Sequence, residues 1–143
     1  MKSETAEMNG NRINHRRYNH QTNASQEQYP MPHDLEIHID EHPHGPIVHL
    51  KGDPGVGAGH SLEIEMTRLC ARRAPLVILD LSELTMISSL VMGQFIALQR
   101  SLSRTGGQVR LASLTPIVLE CFQRARLDNV FKIFSDVPTA LAI

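Results

Sequence analysis

The sequence predicts one α/β domain: a mixed, mostly parallel sheet of four to five strands with about four helices, preceded by a disordered N-terminal tail. Three observations carry this expectation. From Ile47 onward, short apolar runs rich in β-branched residues alternate with longer segments of helical periodicity, the order of βαβ units with right-handed crossovers. The run Leu76-Val77-Ile78-Leu79-Asp80-Leu81 is almost continuously apolar, as a strand covered on both faces must be. Residues 1–32, by contrast, are mostly Asn, Gln, His, Arg, Ser and Glu, with too few apolar side chains to offset the entropy of ordering. The expected division is therefore a tail over 1–32 and a folded domain over 33–143.

The 143 residues and 41% hydrophobic content suit one core. The net charge of −1 divides into four Lys+Arg against three Asp+Glu in residues 1–32, and ten against twelve beyond. Neither part has the basic excess that binding to nucleic acid by counterion release requires, and the basic residues Arg12, Arg16 and Arg17 sit on no folded platform. No apolar run reaches the ~18 residues that span a bilayer, and no apolar h-region opens the chain, so a cytoplasmic protein without membrane insertion is expected. Cys70 and Cys121 lie on amphipathic segments without CxxC spacing and read as reduced core thiols, with a redox pair as the alternative.

The domain begins with strict alternation. Leu35, Ile37 and Ile39 fall on one face and Glu36, His38, Asp40 and His42 on the other, which predicts a half-exposed edge strand. His38, Asp40, His42 and His44 share strand parity, but neighbours on one strand face are about 7 Å apart, too far for convergence on a zinc ion, so a solvated polar face and no metal is expected. Pro43 and Gly45-Pro46 turn the chain into a second strand, Ile47 to Lys51, paired antiparallel with the first. The glycines of Gly52-Asp53-Pro54-Gly55-Val56-Gly57-Ala58-Gly59 match neither GxGxxG nor a P-loop and read as a flexible strand-to-helix loop. A helix over His60 to Arg73 follows, burying Leu62, Met66, Leu69 and Cys70.

After the central strand, Asp80, Ser82 and Glu83 are expected to turn the chain, and Thr85-Met86-Ile87 to resume an extended segment. Ser88 and Ser89 supply hydroxyls where a helix begins, and either suits the N-cap. Val91, Phe95, Leu98 and Leu102 then form an inward row until Gly106-Gly107 stop the helix. Val109 to Ala112 is the next strand, Thr115-Pro116 a cap and first position of the next helix, and Asp136 to Ala142 a short terminal helix.

This order resembles the STAS domain, the family of anti-sigma factor antagonists and of the cytoplasmic tails of sulphate transporters. The matching residues are Asp80-Leu81-Ser82, the pair Met86-Ile87 leading to Ser89, Gly93, the run Gly106-Gly107-Gln108-Val109-Arg110-Leu111, and Leu127-Asp128-Asn129-Val130-Phe131-Lys132-Ile133-Phe134. Where the family commonly has Asp, Ser, Ser or Thr, then Gly, this chain has Ser88, Ser89, Leu90, Val91, so the acidic neighbour and the glycine are missing.

The resemblance implies an anti-sigma factor antagonist that binds an anti-sigma factor with serine kinase activity and frees the sigma factor. It implies Ser89 as phosphoacceptor, Ser88 as second choice, and a partner footprint over Ser88, Ser89, Leu90, Met92 and Gly93. The partner binds the ATP, so this chain needs no cofactor. An unphosphorylated STAS subunit of a transporter or lipid-trafficking ATPase is the alternative, as is a scaffold in a signalling assembly. An enzyme is not expected: all eight histidines lie at or before His60, the serines have no evident base, and Gly-x-Ser-x-Gly is absent.

Overall fold

The computed structural model describes residues 35–54 and 59–142. The expected tail over 1–32, its boundary with the domain and residues 55–58 of the glycine-rich loop lie outside them. The elements run β1 (Glu36–Asp40), β2 (Ile47–Gly52), α1 (Gly59–Arg72), β3 (Leu76–Leu84), α2 (Ser89–Ser103), β4 (Gln108–Ala112), α3 (Pro116–Arg124), a 3-10 turn (Leu127–Asn129), β5 (Lys132–Phe134) and α4 (Val137–Leu141). The five strands pair in chain order, β1-β2-β3-β4-β5. β1 runs antiparallel to β2, and every later pairing is parallel. The mixed, mostly parallel sheet is the one the sequence predicts.

Strand parity divides the apolar side chains into two layers. Val48, Leu50, Val77, Leu79, Val109 and Leu111 pack with Leu62, Met66 and Leu69 of α1, the Val91, Phe95, Leu98 and Leu102 row of α2, and Val118 and Phe122 of α3. Phe95 and Phe122 stack at 6.4 Å, and Phe131 meets Phe122 edge-on at 6.0 Å. On the opposite face Ile47, Leu76, Ile78 and Ala112 are covered by α4 through Ala140, Val137 and Leu141. Leu76 to Leu79 are therefore buried on both sides, the environment that their unbroken apolar run requires. Cys70 and Cys121 are free thiols, half-buried at the margin of the larger cluster.

Two expectations change. The chain does not turn at Asp80 to Glu83, because β3 continues to Leu84 and Lys51 and Gly52 pair with Glu83 and Leu84. The register steps between His49 and Lys51, leaving one extra residue on β3, and Asp80 Oδ1 accepts the Ser82 N–H at 3.0 Å. The polar residues that suggest a turn thus make a bulge within the strand. His42 and His44 do not extend the strand face either. β1 ends at Asp40, and the chain turns with the Gly45 N–H bonded to His42 O at 2.9 Å and the His44 N–H to His42 Nδ1 at 3.1 Å.

The exit of α2 fixes the approach to β4. The Gly107 N–H donates to Leu102 O at 2.8 Å and the Gly106 N–H to Ser103 O at 3.2 Å, with Gly106 at φ +85°, a left-handed stop that satisfies the last carbonyls. Gly107 is tight for a different reason, since a Cβ there would lie 2.6 Å from Ala74 O. Gly107→Ala is therefore expected to lower unfolding stability by about 1–3 kcal/mol, as overpacking against fixed backbone does. Urea denaturation followed by circular dichroism checks this, and an unchanged midpoint would refute the crowding.

Candidate functional site

The C-terminal edge of the sheet is built where β3 hands over to α2. The Thr85 N–H bonds to Gly52 O at 2.9 Å, and its hydroxyl donates to the same carbonyl at 3.1 Å, which fastens the end of β3 to the end of β2. Ile87 is buried and anchors the connection in the core, while Met86 before it is 49% exposed. Ser88 is the N-cap. Its backbone is extended at φ −114° and ψ 165°, its Oγ accepts the Val91 N–H at 3.2 Å, and its carbonyl accepts the Met92 N–H at 2.9 Å.

Ser89 is the first residue of α2 and is exposed, with no hydrogen bond to its hydroxyl among the described residues. Leu90 is 59% exposed, the largest exposure of a large apolar side chain among the described residues. Gly93 is exposed, and a Cβ there would meet nothing within 4 Å. Met92 is half-buried against the main cluster, so Leu90 and Met86 supply the exposed apolar surface beside the serines. No acidic residue stands in the first turn of α2 or of α3. The positive ends of both helix dipoles therefore face this edge with no acidic side chain in their own first turns. The Thr115 hydroxyl, the cap of α3, donates to Leu84 O at 3.4 Å, which brings the 55% exposed Ile117 to the same edge.

A second polar cluster lies on the sheet face that also carries α4. His49 Nδ1 is 2.7 Å from Asp80 Oδ2, His49 Nε2 is 2.9 Å from Asp40 Oδ2, and His38 Nε2 is 3.0 Å from Asp40 Oδ1. The hydrogen bonds from His49 first, and from His38 second, hold the Asp40 carboxyl below its ordinary value. Sequence reading places His38 and Asp40 on one face, passes over His49, and gives Asp80 only a turn and a place in the family match. His49 sits inside an apolar alternation and Asp80 inside an apolar run, and only the cross-strand register His38↔His49↔Asp80 joins them. Among the described residues no group of three or more His, Cys, Asp or Glu side chains is placed to hold a metal ion, and no helix is long and apolar enough to cross a membrane.

Two measurements test this geometry. Ser88→Ala is expected to cost about 1 kcal/mol of stability, the usual loss of an N-cap, and Ser89→Ala less than half of that; equal losses in urea denaturation would contradict the assignment of the cap. The lowered Asp40 pKa contributes stability that is present above the ordinary carboxylate value of 3.8 and is lost as pH falls through the folded-state value. Asp40→Asn should therefore flatten the acid side of the stability profile, read as urea midpoint against pH, and a profile parallel to wild type would refute the linkage.

Comparison with known proteins adds the following. The family model described as STAS domain matches residues 36–140. No curated protein matches the chain. Among solved structures, an anti-sigma factor antagonist from Mycobacterium paratuberculosis is 19% identical, with a TM-score of 0.71 over 78% of this chain and 94% of its own. The anti-sigma factor antagonist SpoIIAA in its unphosphorylated form is 16% identical, with a TM-score of 0.66 over 74% of this chain and 93% of its own. The Bacillus cell fate determinant SpoIIAA in its phosphorylated form is 15% identical, with a TM-score of 0.59 over 75% and 96%. At these identities the likeness is one of fold.

Proposed function

This chain belongs to the STAS domain family, and from that membership we propose that it acts as an anti-sigma factor antagonist. In this reading it docks on an anti-sigma factor with serine kinase activity through the C-terminal edge of its sheet, releases the sigma factor, and is switched off by phosphorylation of Ser89. The observation that carries the reading is the placement of Ser89: exposed, on the first turn of α2, beside a serine already used as the cap, and next to the outward Leu90. Structural neighbours described as anti-sigma factor antagonists, one of them in a phosphorylated form, support it.

The chemistry is consistent with that role. A phosphoryl group on Ser89 adds about −1.5 to −2 charge at pH 7. It would arrive at a helix N-terminus that has no acidic side chain in its first turn, so the fold can hold it. A partner surface seated over Leu90, Met86 and Ile117 has to exclude water, and a dianion at its centre would leave buried charge unpaired. Modification then acts on the complex and leaves the domain folded. Ser88 cannot serve both as cap and as acceptor without giving up its bond to Val91, which favours Ser89. The footprint comprises Ser88, Ser89, Leu90 and Gly93, with Met92 contributing through its outer half.

The test uses an anti-sigma factor with serine kinase activity from the same genome. With that kinase and ATP, intact mass should show one added phosphoryl group on wild type and on Ser88→Ala, and none on Ser89→Ala. Leu90→Asp should weaken binding to the same protein by at least about tenfold, the loss typical of a central apolar contact, with an unchanged urea midpoint. A phosphoryl group that survives in Ser89→Ala, or full affinity in Leu90→Asp, would overturn the assignment.

A further inference from the structure

We propose that His49 is a proton-dependent latch that fastens the edge strand β1 to β3 across β2. Among the described residues β1 pairs only with β2, so its lateral support on the face described above depends on side chains that reach over the neighbouring strand. His49 does this with both ring nitrogens. Nδ1 meets Asp80 Oδ2 at 2.7 Å, and Nε2 meets Asp40 Oδ2 at 2.9 Å.

The second oxygen of each carboxylate is also engaged. Asp80 Oδ1 accepts the Ser82 N–H at 3.0 Å, and Asp40 Oδ1 faces His38 Nε2 at 3.0 Å. Ionised carboxylates only accept hydrogen bonds, so both His49 nitrogens must donate, and a neutral imidazole has a single N–H. Loss of the ring proton therefore sets a lone pair against one of the two carboxylates.

The surroundings decide which contact breaks. The charged and titratable groups facing His49 are Glu36, His38 and Asp40 on β1, Lys51 on β2, and Asp80 and Glu83 on β3. Arg110 on β4 is committed elsewhere, donating to the Ala140 and Ala142 carbonyls at the end of α4. Asp80 is 14% exposed and bound to its own backbone, whereas Asp40 is 54% exposed and free to turn into water. The Asp40 bond is the one that opens. The Glu41–Arg72 ion pair, at 2.6 Å, still holds the turn after β1 to α1, since neither partner titrates near neutrality. β1 therefore loosens without detaching when the His49 ring gives up its second proton.

The experiment uses the full chain. Nitrogen-15 NMR across a pH series should find both His49 ring nitrogens protonated where the two carboxylate contacts are closed and one deprotonated where the Asp40 contact is open. Over the same range, β1 amide protection, corrected for intrinsic exchange, should fall about three- to tenfold, the effect of losing a charge-assisted hydrogen bond at a partly exposed site. His49→Gln and Asp40→Asn should each abolish that pH dependence, and His38→Gln should keep it. The latch is refuted by a singly protonated His49 ring throughout, by β1 protection that does not follow the ring titration, or by a pH dependence that survives in His49→Gln or Asp40→Asn.

Discussion

A strand buried on both faces leaves its neighbours little choice. Leu76, Val77, Ile78 and Leu79 are each covered, the alternate side chains by α1 and α2 on one face and by α4 on the other. Such a strand has to be central, with partners on both edges, because its backbone groups have no access to water. The constraint relaxes where the apolar run ends. Asp80 is the first polar side chain of β3, and from there the strand carries a bulge, a network of histidine and aspartate side chains, and the exit toward α2. Burial thus sets the position of the exposed edge at the start of α2 as well as the core: Ile87 returns to the interior and Ser88 closes the helix start, which leaves Ser89 and Leu90 facing outward.

Much of this was legible from the chain. The Val91, Phe95, Leu98 and Leu102 row, the Thr115-Pro116 helix start and the glycine stop after Ser103 are local signals, governed by the 3.6-residue period and by capping chemistry, and the structure places them as read. What could not be read depends on register. Asp80, Ser82 and Glu83 have the composition of a turn, yet Lys51 and Gly52 offer them a strand to pair with. The partnership of His49 with Asp80 spans 31 residues and exists only because β2 and β3 align as they do. The choice between Ser88 and Ser89 as cap was likewise undecidable from residue type, because both carry the same hydroxyl and one residue of phase separates their roles.

The two polar regions of the domain use their charges differently. At the α2 start the helix dipole is left without an acidic side chain, so the edge favours a visiting negative group. On the sheet face the negative groups are built in, and histidines answer them. Because β2 and β3 take part in both, through Thr85 and Gly52 at one end and Asp80 and His49 further along, they run through the same pair of strands without sharing a side chain.

The order of the strands also bears on how the chain is made. Each strand pairs with the one synthesised before it, so the sheet can grow by addition at one edge as the polypeptide emerges, with no later strand inserted between earlier ones. The helices of the larger cluster arrive along the way, but α4, which covers Ile47, Leu76 and Ile78, follows the fifth strand. During translation that apolar face therefore stays open after all five strands have been made, and the nascent chain is most prone to unwanted association in the interval before α4 leaves the ribosome.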